Sequence, residues 1–187
     1  MMENMNIIVS GLGGQGILFM TKILAHAALS QGCDILGAET HGMAQRGGSV
    51  ISHLRIGRHQ GTLIRAGSAG LLLSLDENEC YRNLAFAAPG ARLFVNLDRQ
   101  PRPAVDAYLK DKAMTWHSAP ATAIARQINA PFSTNLALIG FFAAFDNDLF
   151  GADRLRHVID QLSPERFRQV NFKVFDAGLA YGNQLKP

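Results

Sequence analysis

The apolar run Ile7, Ile8, Val9 breaks at Gly11, and residues 11–16 read Gly11-Leu12-Gly13-Gly14-Gln15-Gly16. Directly behind them, apolar residues recur at Ile17, Met20, Ile23, Leu24, Ala27 and Ala28. A short apolar run, glycine punctuation and then a 3.6-residue period predict strand, tight turn and helix, in that order. Gly32 ends the helix, and Asp34 to Ala38 reads as a second strand. Strand, helix and strand within residues 6–38 predict a parallel sheet with a right-handed crossover. The spacing also fits G-x-G-x-x-G. Gly11 permits the turn, Gly13 lets the backbone approach a ligand, and Gly16 lets the helix pack close to the strand. A helix that starts on such a loop offers its first N–H groups to an anion.

A second glycine-marked stretch follows, His41-Gly42-Met43-Ala44-Gln45-Arg46-Gly47-Gly48-Ser49. Arg46 is a fork of donors among flexible residues, suited to phosphate or carboxylate, with His41 and Gln45 as neutral hydrogen-bonding neighbours. The same residues also suit a crossing loop whose arginine pairs with an acid across an interface. Further strands are expected at Val50–Ile56, Leu71–Leu75, Arg92–Leu97 and Met114–His117. Asp76 to Glu79 reads as a capping box opening a helix to about Ala87. Pro89-Gly90 reads as a turn, and Asp98–Ala113, with Pro101 and Pro103, as a loop. Helices are expected over Ala119–Ile128, Thr134–Phe145 and Asp153–Leu162, and after Ser163-Pro164 to near Gly182. Thr134–Phe145 is apolar on nearly every side, which means central core or a subunit contact. The chain therefore reads as α/β: a three-layer, mainly parallel Rossmann-like sheet with a helical C-terminal third, residues 1–187 forming a single domain.

Composition narrows the function by exclusion. The net charge is only +3 and the basic residues are scattered, so no nucleic-acid footprint is drawn. The 2 cysteines, Cys33 and Cys80, cannot ligate an iron–sulfur cluster by themselves and read as buried small hydrophobes. Leu136–Phe145 is far too short to span a membrane and residues 1–6 lack a basic signal region, so a cytoplasmic protein is expected. No histidine pair has metal spacing, and His26 reads as a packed helix residue. No catalytic residue and no metal ligand is assigned. The candidate cofactor-binding residues are Gly11, Gly13, Gly14, Gln15, Gly16, His41, Gln45, Arg46, Gly47 and Gly48. A nicotinamide or flavin nucleotide enzyme remains an alternative, since Glu39 stands at the expected distance for a ribose-binding acid. Against it, Gln15 occupies a helix-start position usually held by a small or apolar residue. A scaffolding domain with a purely structural glycine loop is the other alternative.

Three strings carry a resemblance: Gly11-Leu-Gly-Gly-Gln-Gly-Ile17; Leu24-Ala25 with Ala27-Ala28; and His41-Gly-Met-Ala-Gln-Arg-Gly-Gly-Ser-Val50 with Ser52-His53 and Arg55-Ile56-Gly57. Together they resemble the gamma-type subunits of 2-oxoacid:ferredoxin oxidoreductases. The wording of the second loop is most similar to the beta subunits of indolepyruvate oxidoreductases. The resemblance is specific from Asn6 to Gly57 and looser through Asn135–Gly140 and Phe167–Gly178. It implies a subunit of a complex that oxidatively decarboxylates a 2-oxo acid to an acyl-CoA and passes electrons to ferredoxin. It further implies that thiamine diphosphate and the iron–sulfur clusters lie on partner subunits, with no complete active site here. Coenzyme A is the candidate ligand of the two glycine loops, and other subunits of the complex are the expected partners.

Overall fold

A computed structural model describes residues 4–41, 47–146 and 148–186. Among these residues six strands form one sheet: β1 Met5–Leu12, β2 Ile35–His41, β3 Ser49–Ile56, β4 Ala69–Ser74, β5 Ala87–Asn96 and β6 Thr115–Ala119, in the order β2-β3-β1-β4-β5-β6. β1, β4, β5 and β6 pair in parallel, whereas β3 runs antiparallel to both β1 and β2. The β1–helix–β2 unit is thus present, but β2 does not touch β1. A strand of opposite direction has been inserted between them.

Among the described residues seven α-helices cover the sheet: α1 Ile17–Leu29, α2 Glu77–Asn83, α3 Pro103–Asp111, α4 Ala121–Gln127, α5 Thr134–Ala143, α6 Ala152–Leu162 and α7 Glu165–Leu185. Strand alternation sorts the core into two sides. Ile7, Val9, Leu54, Leu71, Leu73 and Phe94 pack with α1, α5, α6 and α7. Ile8, Leu72, Leu93 and Val95 pack on the opposite side with Cys80, Leu84 and Leu109 from α2, α3 and the turn between. Three layers result, with the larger hydrophobic mass under the C-terminal helices.

All ten residues of α5 are buried, so this helix is central core and not a subunit contact. Its ring cluster is anchored by Phe94, which meets Phe142 edge-on at 5.0 Å and Phe141 at 5.9 Å between centroids. α5 and α7 approach closely because glycine lines the seam. A Cβ at Gly140 would stand 2.0 Å from the Phe175 carbonyl oxygen, and one at Gly178 would stand 2.0 Å from that of Ala137.

Several local expectations are corrected. Residues 103–111, read as loop, form α3, because Pro103 sits at the first helical position, where its missing N–H is harmless. β5 begins at Ala87 and passes through Pro89-Gly90 as an irregularity, with the register jumping from Ala69↔Ala87 to Leu71↔Arg92. His26 is exposed, not packed. Ser163 is buried and does not cap α7; its hydroxyl accepts from the Asn171 amide at 2.9 Å. Cys80 is fully buried as expected, while Cys33 is half-buried.

Candidate functional site

The first glycine loop leaves β1 at the carboxyl edge of the parallel strands, where open α/β sheets place ligands. Gly14 and Gly16 have φ values of +96° and +84°, so the turn needs residues without a Cβ penalty. Gln15 does not point outward. Its Oε1 accepts from Leu12 N–H at 2.7 Å, and its Nε2 donates to the Leu75 carbonyl at 3.4 Å. The same carbonyl accepts from Asn96 Nδ2 at 3.0 Å. Gln15 is therefore a strut between the ends of β1 and β4, which explains why a long amide replaces the usual small residue. On the other side Asn135, in the first turn of α5, donates to the Gly16 carbonyl at 3.2 Å. A Cβ at Gly16 would meet that amide nitrogen at 2.5 Å, whereas one at Gly14 would stand in open space.

The second loop reaches the first through its far end. Gly13 N–H donates to the Gly48 carbonyl at 2.8 Å, and Gly47 N–H donates to the Gly13 carbonyl at 3.3 Å. These bonds extend the β1–β3 ladder, in which Leu12 faces Ser49, beyond the last paired strand residues. The insertion of β3 is what makes this possible, since it returns the chain from the end of β2 to the side of β1. The loops are thus joined edge to edge, although the strands they follow, β1 and β2, are not neighbours. His41 closes β2 opposite Val50. Gln45 and Arg46 lie outside the described residues.

Glu79 is a residue that the sequence placed in another role. Asp76 caps α2 as expected, accepting from the N–H groups of Asn78 and Glu79 at 2.9 and 3.1 Å. The Glu79 carboxylate, however, accepts from Ser49 Oγ at 2.5 Å and pairs with Arg82 at 3.3 Å, while Glu79 itself is only 2% exposed. A buried charge with two partners holds its position firmly, so the root of the second loop is tied to α2. The i, i+3 spacing from Asp76 was the available signal, and it pointed to the helix end instead.

The chemistry of this edge is that of a backbone cradle. Gly14 is exposed, and α1 starts at Gly16 with no side-chain cap on its first N–H groups. Reactive side chains in the rest of the fold are committed to other contacts. Burial, reinforced by Glu77 and Asp76, pushes the Cys80 thiol well up, away from a thiolate. Burial lowers His53, whose Nδ1 accepts from Ile64 N–H at 3.2 Å. Burial and then Arg92 lower His117, which stacks on Phe94 at 4.8 Å. Among the described residues no group of three or more His, Cys, Asp or Glu is placed to hold a metal ion. Glu39 lies in β2 opposite Ser52, two strand spacings (about 10 Å) from β1. A dinucleotide bound over β1 needs that acid on the adjacent strand, so the fingerprint is incomplete here.

Residues 6–181 match the family described as pyruvate ferredoxin/flavodoxin oxidoreductase. The chain is 30% identical to the indolepyruvate oxidoreductase subunit IorB of Archaeoglobus fulgidus, over 93% of each chain. The gamma subunit of the keto/oxoacid ferredoxin oxidoreductase of Geobacter sulfurreducens has the same fold, with a TM-score of 0.75 at 21% identity, covering 95% of this chain and 98% of that one. The 2-oxoglutarate:ferredoxin oxidoreductase of Magnetococcus marinus, solved with 2-oxoglutarate, coenzyme A and succinyl-CoA bound, gives 0.79 at 18% identity. There the whole of this chain corresponds to 32% of a longer polypeptide.

Proposed function

Since this chain belongs to the pyruvate ferredoxin/flavodoxin oxidoreductase family, we propose that it is the subunit whose joined glycine loops seat coenzyme A in a 2-oxoacid-oxidising complex. Its relatives are subunits of such complexes, and the catalytic role belongs to the assembly. Thiamine diphosphate and iron–sulfur clusters on partner subunits supply decarboxylation and electron transfer to ferredoxin. With 2 cysteines in the whole sequence, this chain lacks the thiolate set a cluster needs. Residues 1–187 act as one unit in this reading, and the complex works in the cytoplasm. No helix among the described residues is long and apolar enough to cross a membrane.

The observation that carries the proposal is the pair of backbone bonds between Gly13 and Gly47–Gly48, beside an exposed Gly14 and the uncapped start of α1. A pyrophosphate needs close backbone approach, several N–H donors and a cation. Gly13 and Gly14 offer the close approach, Gly14, Gly16 and the first turn of α1 offer the N–H groups, and Arg46 of the second loop is the proposed cation. Gln15 and Gly11 keep the first loop in shape, Gly47 and Gly48 join the second loop to it, and His41 and Gln45 are its proposed hydrogen-bonding residues. The first loop presents neither a base nor a nucleophile, which fits a role in binding the acyl acceptor. Indolepyruvate heads the substrate panel, because the relatives near 30% identity are IorB subunits.

Arg46→Ala in the reconstituted complex tests this. Loss of a charge-assisted contact of about 1.5–3 kcal/mol raises the KM for coenzyme A roughly 10- to 100-fold, with kcat at saturating coenzyme A retained. An unchanged KM for coenzyme A overturns the assignment.

A further inference from the structure

The opposite edge of the sheet carries a second surface of different chemistry. Arg55 at the end of β3, with Arg58, His59 and Arg65 of the loop between β3 and β4, lines an open cleft of about 630 Å³ that has no carboxylate in its lining. Arg55 is fixed: its Nε donates to Asn6 Oδ1 at 3.0 Å, and its Nη1 donates to the carbonyls of Gly61 and Leu63 at 2.8 and 3.3 Å. Arg58 and Arg65 are exposed and make no ion pair among the described residues. Elsewhere among those residues Arg82, Arg92, Arg99, Arg102, Arg156 and Arg168 each pair with a carboxylate while Arg126, Arg154 and Arg166 do not; what sets Arg58 and Arg65 apart is that they share one cleft with Arg55 and no acid. Asp34 shares a neighbouring cleft with Arg58 without pairing to it. Leu63 stands in the middle of this positive rim, 61% exposed.

We infer that this loop is a docking surface for a carboxylate-rich face of another subunit of the complex. Three features select a protein surface over a free phosphate. The cleft is open, and an exposed leucine lies among the guanidinium groups, the mixture that interface anchors use. Four amides toward the ends of the loop are occupied within the chain: Gly57 N–H by Asp34 O, Arg58 N–H by Asn4 Oδ1, Ile64 N–H by His53 Nδ1 and Gly67 N–H by Ala85 O. A second copy of this chain meeting the surface head-on would bring arginine against arginine, so the partner is a different, acidic polypeptide. The eight residues of β1 separate the two edges by about 25 Å. A subunit held here leaves the glycine loops free to face another.

The inference rests on the family assignment but not on coenzyme A binding, and its test separates them. Arg58→Glu with Arg65→Glu is assembled with the partner subunits, and the dissociation constant is measured at low and high salt. Close charge pairs across interfaces are strongly coupled, so at least about a tenfold loss of affinity is expected. Wild-type assembly weakens with salt, and the double variant loses most of that dependence. Arg58→Lys with Arg65→Lys keeps most of the affinity, and circular dichroism confirms that both variants are folded. Unchanged assembly and salt dependence overturn the inference. So does intact assembly with a raised KM for ferredoxin alone, which gives the surface to the electron acceptor. Intact assembly with a raised KM for coenzyme A alone makes it a phosphate site and overturns the inference equally.

Discussion

Glycine serves two opposite purposes in this molecule. In the α5–α7 seam, Gly140 and Gly178 are needed because there is no room: an added Cβ lands 2.0 Å from a backbone carbonyl oxygen of the facing helix. In the loops at the carboxyl edge, Gly14 and Gly47 have positive φ, and an added Cβ would meet nothing within 4 Å. The seam glycines bring two helices together, whereas the loop glycines leave space and permit a backbone shape. Residue identity alone does not separate these roles; the neighbours do. The comparison fails if Gly140→Ala or Gly178→Ala is mild. Backbone cannot move aside as a side-chain tip can, so each should cost about 3 kcal/mol, the upper end of overpacking. Thermal unfolding should then fall by roughly 6–12 °C. A drop of less than about 2 °C in either variant would show that the helices slide apart freely.

Gly16 belongs to both classes, and that makes it the sharper test. Its φ of +84° is a loop property, while the 2.5 Å that would separate an added Cβ from Asn135 Nδ2 is a packing one. Gly14→Ala should cost about 1 kcal/mol from left-handed backbone alone. Gly16→Ala should cost about 2 kcal/mol, since the amide that holds the Gly16 carbonyl must also move. In the Asn135→Ala background the excess should disappear, a coupling of about 0.5–1 kcal/mol by denaturant unfolding. Strict additivity would mean that Asn135 does not hold the loop.

The same distinction marks what the sequence made legible. Strand, glycine turn and α1 were readable because each signal is local: an apolar run, punctuation, a helical period. The first loop was therefore placed correctly. The partner of β3 was not readable, because alternation at Val50–Ile56 gives faces but neither neighbour nor direction. Only the antiparallel insertion explains how Gly47 and Gly48 come to bond Gly13. Pro101 and Pro103 read as breakers, although proline at a first helical position starts α3. Glu79 obeyed a local capping rule on paper, while its carboxylate found Ser49, 30 residues away in sequence. Asn135 gave no sign that it would hold Gly16, 119 residues distant. Seam and strut contacts belong to the assembled layers, and one chain read in order does not display them.

Acid gives the smallest effect and isolates the glycine contacts further, because none of them titrates. Burial lowers both His53 and His117, so the folded chain prefers each ring neutral. Protonated His53 could no longer accept from Ile64 N–H. The unfolded chain takes up protons near the ordinary histidine value of about 6.5. Between that value and the lower folded ones, the unfolded state binds more protons, so stability rises with pH and is lost as pH falls below about 6.5. Unfolding temperature should hold steady just above neutrality and decline toward about pH 5.5. The decline should flatten when His53→Gln is combined with His117→Gln. The ranking of Gly178→Ala over Gly16→Ala over Gly14→Ala should be the same at both ends of that range. An undiminished acid slope in the double histidine variant would place the titrating group elsewhere. A reordered glycine series would mean that protonation loosens the seam itself, where His117 packs against Phe145 at 4.6 Å just beyond the end of α5.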